Sequence, residues 1–198
     1  MKLKILQTGE PVLRQRAREL TPEEITSPYV QTLILLMQNT LRDAPGVGLA
    51  APQIGEPLQL AVIEDRPEYT QNLPPEFVAE RERVPVPFHV IINPKLMLEE
   101  ESAPAEFFEA CLSMAGLIGL TPRARAVTVT CLNEHAQPIT IKARGWYARI
   151  LQHEIDHLQG NLYIDRMPSS RSLMTMDNYA RYWKDKTIKQ ACQELGIK

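Results

Sequence analysis

The stretch LQHEIDHLQG, residues 151–160, places two histidines four positions apart, with a glutamate directly after the first. No other feature of the chain constrains its fold as tightly. His153 and His157 share a face only if the segment is helical, and on that face they can converge on one ion. Glu154 stands beside the first ligand, where a carboxylate can take a proton from water. The same letters also fit a solvated helix face that happens to carry two histidines. What decides between the two is whether the chain supplies a third ligand.

The two remaining histidines, His89 and His135, lie far away in sequence. A catalytic site of this kind has three protein ligands and one position left for water. Extending the motif in the metzincin register gives HEIDHLQGNLY, in which Tyr163 replaces the third histidine. A thermolysin-like glutamate from a later helix finds no obvious candidate in the short segment after His157. The third ligand is therefore expected upstream, where EACLSMAG (109–116) supplies Cys111 among small residues. An intracellular cysteine is by default a small buried hydrophobe. Cys131, inside an alternating strand pattern, and Cys192, on an apolar helical stripe, fit that description and leave Cys111 as the candidate. A thiolate with two imidazoles is a known catalytic donor set.

Around these residues the pattern predicts an α+β chain with mixed or antiparallel β-sheets packed around the central HExxH helix. TPEE (21–24) reads as a helix start, with Thr as N-cap, Pro at the first position and Glu at the third. A helix follows over YVQTLILLMQNTLRD and stops at APG. LQLAVIED and HVIINPKLML read as strands, and AVTVTCL and PITIKA as a pair around the turn NEHAQ. Residues 65–88, charged and proline-rich, read as an exposed loop or excursion. The motif helix is expected from about Trp146 to Gln159, ended by Gly160. A C-terminal helix is expected over 175–195, with Met176, Tyr179, Trp183, Ile188, Cys192 and Leu195 on one stripe. At 198 residues and 22.5 kDa the whole of 1–198 is expected to form a single catalytic domain. A net charge of −2 gives no general attraction to DNA or anionic membrane, and no segment could span a bilayer. The odd count of three cysteines does not look like a disulfide framework and suits a reducing cytoplasm. An organelle also fits if a transit peptide has been removed.

GVGLAAPQ, EACLS and LQHEIDHLQG, in this order and spacing, resemble the three motifs of peptide deformylases. GEPVLRQRA, INP and GWYARILQHE extend the likeness over most of the chain, and GWYARI and YIDRM are similar to the organellar-type branch. The resemblance implies a hydrolase that removes the N-formyl group from formyl-methionine at the start of nascent polypeptides. It implies one divalent metal, iron(II) by family habit, with zinc, nickel or cobalt as alternatives, held by Cys111, His153 and His157. Glu154 would be the base, with the Gln53 amide and the Leu112 N–H as oxyanion donors. Val47, Gly48 and Ala110 would line the peptide groove, and Phe107, Trp146, Arg149 and Ile150 the pocket for the first side chain. Glu109, beside that groove, would form a buried pair with Arg123. Ala110 departs from the family, which usually has glycine there. A docking site on the ribosome near the exit tunnel is suggested by Arg181, Lys184, Lys186 and Lys189. The alternatives are a zinc peptidase, or a catalytically silent homologue that binds peptide N-termini or ribosomes.

Overall fold

The computed structural model describes residues 2–99 and 104–197, so Met1, residues 100–103 and Lys198 of the expected domain lie outside the described residues. The chain begins with α1 (Pro22–Ile25) and α2 (Pro28–Asp43). Thr21 caps α1 as expected: its hydroxyl accepts from the Glu24 N–H at 3.3 Å, and the Glu24 carboxylate accepts from the Thr21 N–H at 2.8 Å. Ser27 then caps α2 and Pro28 occupies its first turn, so the two helices are separate.

Strands β1 (Gly48–Ala50) and β2 (Leu60–Asp65) precede α3 (Pro75–Glu80), then β3 (Val86–Leu98), β4 (Ala105–Ala110), β5 (Leu117–Arg123), β6 (Ala126–Leu132) and β7 (Pro138–Arg144). Helix α4 (Gly145–Leu158) follows β7 without a loop; β8 (Met174–Thr175), α5 (Met176–Tyr182) and α6 (Ile188–Leu195) complete the order. Every strand pair is antiparallel, in a five-stranded sheet β1-β2-β3-β6-β7 and a three-stranded sheet β4-β5-β8.

The larger sheet is covered on both faces. Period-two alternation sends Leu60, Val62, Val90 and Ile92 toward Leu33, Ile34, Met37 and Leu41 of α2. Ala61, Ile63, Ile91, Val127 and Val129 face Ala148, Leu151, Ile155 and Leu158 of α4. The motif helix is thus clamped on the sheet and mostly buried. It ends at Gly160, whose φ of 78° and a Cβ position only 2.9 Å from the Arg14 carbonyl leave room for glycine alone.

Two elements differ from expectation. The C-terminal helix is present but divided, because Thr187 adopts extended backbone and caps α6 together with Gln190. Residues 65–88 are largely exposed but contain α3 and are tied down at their return. Arg83 forms a bidentate pair with buried Asp65 (2.8 and 2.8 Å), and the Arg81 carbonyl accepts from the Trp146 N–H at the start of α4.

Candidate metal centre and its surroundings

Two elements build the site. Cys111 follows β4 directly, and α4 supplies His153 and His157 from adjacent turns. Cys111 Sγ lies 3.2 Å from His157 Nε2, which lies 3.2 Å from His153 Nε2, so the three donor atoms surround one point. The donor chemistry fits a divalent ion, since thiolate and imidazole together suit zinc, iron, nickel or cobalt. The tautomer fits as well. His153 Nδ1 is 2.6 Å from Glu109 Oε1, so its proton belongs on that nitrogen and the Nε2 lone pair faces the cluster. Burial holds the His157 imidazole well below its usual pKa. Burial also opposes charge on the His153 imidazole, but Cys111 and Glu109 outweigh it and hold that ring well above its usual value, so an ion binding at His153 Nε2 would displace a proton there.

Glu109 is the centre of a buried ionic network. It receives Arg123 at 2.6 and 3.2 Å, Arg149 at 2.6 Å and His153. Arg123 also pairs with Asp156, and Asp156 with Arg166 at 2.7 Å, which carries the network from the cluster to the surface. Burial opposes the charge on Glu109, but His153 and Arg123 outweigh it and hold the carboxyl well below the usual range. The expected Glu109–Arg123 pair is therefore present, as part of a larger array. Asp156 lies inside the HEIDH motif, where it was not singled out.

Glu154 is 3% exposed, and its Oε2 has no hydrogen-bond partner among the described residues. Burial pushes its carboxyl up to about 7. Gly48 lies against it: a Cβ there would sit 2.2 Å from Glu154 Oε1. Gln53 is 1% exposed and fully oriented. Its Oε1 accepts from the Ala50 N–H at 2.9 Å, while its Nε2 reaches Ser113 Oγ at 3.1 Å and Cys111 Sγ at 3.6 Å. Ser113, within the EACLS motif, is a contact the sequence reading missed. Leu112 follows the cysteine, and its carbonyl accepts from Gln7 at 3.0 Å.

The expected groove residues lie at the start of β1 and the end of β4. Val47 precedes β1 and its carbonyl accepts from the Glu64 N–H, Gly48 opens β1, and Ala110 ends β4 as an exposed residue. Phe107, Trp146 and Arg149 line one small cavity, joined by Arg81, whose guanidinium stacks between the rings of Phe77 and Phe107 at 3.5 and 4.4 Å. Nothing in the local sequence around Arg81 signals this position. Ile150, 2% exposed, packs in the core between α4 and the large sheet.

A thiolate and two imidazoles meeting beside a buried carboxylate define a mononuclear metallohydrolase centre. Residues 2–172 match the sequence profile described as polypeptide deformylase. The chain is 44% identical, over 97% of its own length and 69% of the relative's, to peptide deformylase 1A, chloroplastic/mitochondrial, from Arabidopsis thaliana. It is 42% identical to peptide deformylase 1 of Bifidobacterium longum, over 98% of this chain and 86% of that one. Among solved structures it resembles the Met-Ala-Ser-bound class I type b peptide deformylase from Acinetobacter baumannii, with a TM-score of 0.74 and 29% identity over 84% of this chain and 99% of that one. The chain belongs to the polypeptide deformylase family: it is a metallohydrolase that removes the N-formyl group from nascent polypeptides, with Cys111, His153 and His157 as its metal-binding site.

Proposed function

We propose that Glu154 is the general base and acid of this deformylase, with Gln53 and Leu112 as its oxyanion donors, and that one domain, residues 1–198, carries the whole activity. The observation that carries the reading is the Glu154 carboxylate, buried beside the three metal-binding residues with an oxygen left free. When bound, a divalent ion there polarises the formyl oxygen and acidifies water. The Glu154 carboxylate accepts a proton from the attacking water and delivers it to the leaving amine. The Gln53 Nε2–H and the Leu112 N–H donate to the oxygen as it gains charge. Gln53 suits this task because Ala50 and Ser113 already fix its amide, so little reorganisation accompanies the reaction.

The peptide extends between Val47, Gly48 and Ala110 as an added strand. Its first side chain, methionine, lies toward Phe107 and Trp146, with Glu109 behind them; Arg149 is held by Glu109, and Ile150 belongs to the core under α4. The Acinetobacter relative, solved with Met-Ala-Ser bound, supports short peptides of this kind as ligands. The proposed ion is iron(II). The proposed compartment is a bacterial cytoplasm or an organelle of bacterial descent, in keeping with three free cysteines and with bacterial and chloroplastic/mitochondrial relatives. Among the described residues no helix is long and apolar enough to cross a membrane.

The decisive experiment measures formate release from formyl-Met-Ala-Ser by protein whose metal content is known. Turnover by an iron-loaded sample supports the reading, and inactivity at full metal occupancy overturns it.

A ribosome-facing role for the C-terminal segment is a finer proposal. Arg181, Lys184 and Lys189 are exposed, while Lys186 is engaged with Glu194 and the Trp183 ring. A basic face of this kind suits ribosomal RNA near the peptide exit. Ribosome co-sedimentation is expected to weaken with salt and to be lost on reversing these four charges; binding that survives the reversal removes the proposal.

A further inference from the structure

We infer that Arg149 is a positioning residue that orients the metal-binding His153 through Glu109, rather than a wall selecting the first side chain of the substrate. This inference rests on the Cys111–His153–His157 metal site. Arg149 and His153 are four residues apart on α4, so they project from the same face. Both reach the one carboxylate of Glu109 across the gap to β4. His153 Nδ1 takes Oε1 at 2.6 Å, and Arg149 Nη1 takes Oε2 at 2.6 Å.

The rest of the guanidinium is turned toward backbone. Arg149 Nη1 also donates to the Thr121 carbonyl of β5 at 3.1 Å, and Nη2 to the Ala105 carbonyl of β4 at 2.7 Å. The side chain is about 5% exposed. Three of its five N–H donors are thus engaged within the protein, and its planar fork fixes both strands relative to the helix.

The consequence for Glu109 follows from bond geometry. A carboxylate turns easily about its terminal torsion unless its oxygens are held. Arg123 holds Oε1 closely, at 2.6 Å, but Oε2 only at 3.2 Å. Arg149 is therefore the short contact on the second oxygen. Without it the carboxylate gains freedom to rotate, and the proton-accepting oxygen that orients His153 is no longer fixed. Partners of this kind behind a metal ligand typically account for ~10–100-fold in metal affinity.

The test compares Arg149→Gln and Arg149→Lys with the wild type in three measurements. These are cobalt(II) affinity by chelator competition, the absorption spectrum of the cobalt protein, and KM and kcat for formyl-Met against formyl-Leu peptides. The expected result for Arg149→Gln is cobalt affinity lowered ~10–100-fold with a shifted thiolate-to-cobalt band, and an unchanged preference in KM between the two peptides. Arg149→Lys keeps the charge but loses the planar fork, so it is expected to recover only part of the affinity, with a smaller shift of the same band and the same unchanged preference. Should the glutamine variant fail to fold, the lysine variant decides: a shifted cobalt spectrum supports positioning, and an unshifted one refutes it. Wild-type cobalt affinity and spectrum in Arg149→Gln, with or without altered peptide preference, would overturn the inference. Failure of the wild type itself to bind cobalt would instead overturn the metal site on which the inference rests.

Discussion

At Glu154 two requirements compete. A general base must be ionised to accept a proton, while a carboxylate with a free oxygen in a buried position resists ionisation. Burial accordingly raises its pKa to about 7, close to the range in which a base can both accept and return a proton. Gly48 leaves the space that this carboxylate occupies. Glu154→Gln keeps the shape and removes the proton acceptor, so kcat is expected to fall ~10²–10⁴-fold. Metal content should stay at the wild-type level, because Glu154 is not among the three converging donors. The check is metal analysis and formate release on the same sample; near wild-type turnover at full occupancy excludes Glu154 as the base. His153, His157 and Glu154 were legible in the sequence because their roles follow from local spacing on one helix. Cys111 needed comparison with the other two cysteines, and Gln53 and Leu112 entered only through the family likeness. The direction of the Arg149 guanidinium was not legible at all. It depends on acceptors from Ala105, Glu109 and Thr121, which only the folded chain brings together.

The elements read from sequence were those with a clean period, and those missed lack one for physical reasons. β4 carries Phe107 and Phe108 in succession, the first buried and the second half-buried. Phe107 meets Arg81 and Arg149, while Phe108 packs tilted against Tyr179 of α5 at 4.9 Å between ring centroids. A charged residue, Glu109, on the buried face and an apolar one, Phe108, on the half-buried face erase the sequence alternation that marks a half-buried strand. β5 contains Gly119 and Pro122, residues that locally read as punctuation. The divided C-terminal helix had a continuous apolar stripe, and the Thr187 cap overrode it. The packing of α2 on β2 gives a prediction at this scale. Arg42 of α2 grips Glu64 of β2 through two bonds of 2.7 and 2.8 Å. The bond from Arg42 holds the Glu64 carboxyl below its ordinary value, although burial acts the other way. A folded-state pKa below the unfolded one stabilises above the unfolded value, about 4.3 for glutamate, and this stabilisation is lost as pH falls through the folded value. Because Arg42 is partly exposed, the pair contributes only ~0.2–1 kcal/mol, or a few degrees at most for a chain of this size. Glu64→Gln should therefore lower Tm by at most about 4 °C near pH 7, and the two melting curves should converge in acid. A gap that stays constant from neutral to acid pH would refute the linkage.

For the whole molecule, the metal centre joins the two sheets. Cys111 leaves the three-stranded sheet, while His153 and His157 belong to the helix clamped on the five-stranded one. Arg149 of α4 reaches Glu109, and Arg123 of β5 reaches Asp156 of α4, across the same junction, so the contact between the halves is largely ionic at its centre. An ion that binds only the folded arrangement stabilises it by mass action, ~2.7 kcal/mol at a hundredfold excess over Kd. For a chain of this length that corresponds to a Tm rise of roughly 5–11 °C. Chelation should remove this increment and restored metal should return it. The variants divide by position. Cys111→Ser replaces the thiolate with a much weaker ligand and should lose most of the metal-dependent rise. Cys131→Ser should lower Tm with and without metal alike, because Cys131 packs in the core between the large sheet and α4. Glu154→Gln should keep the full rise while losing activity, which separates binding of the ion from use of it. The measurement is thermal unfolding of each protein with metal and with chelator. An equal metal-dependent rise in wild type and Cys111→Ser would exclude the thiolate from the site, and with it the link between the two sheets.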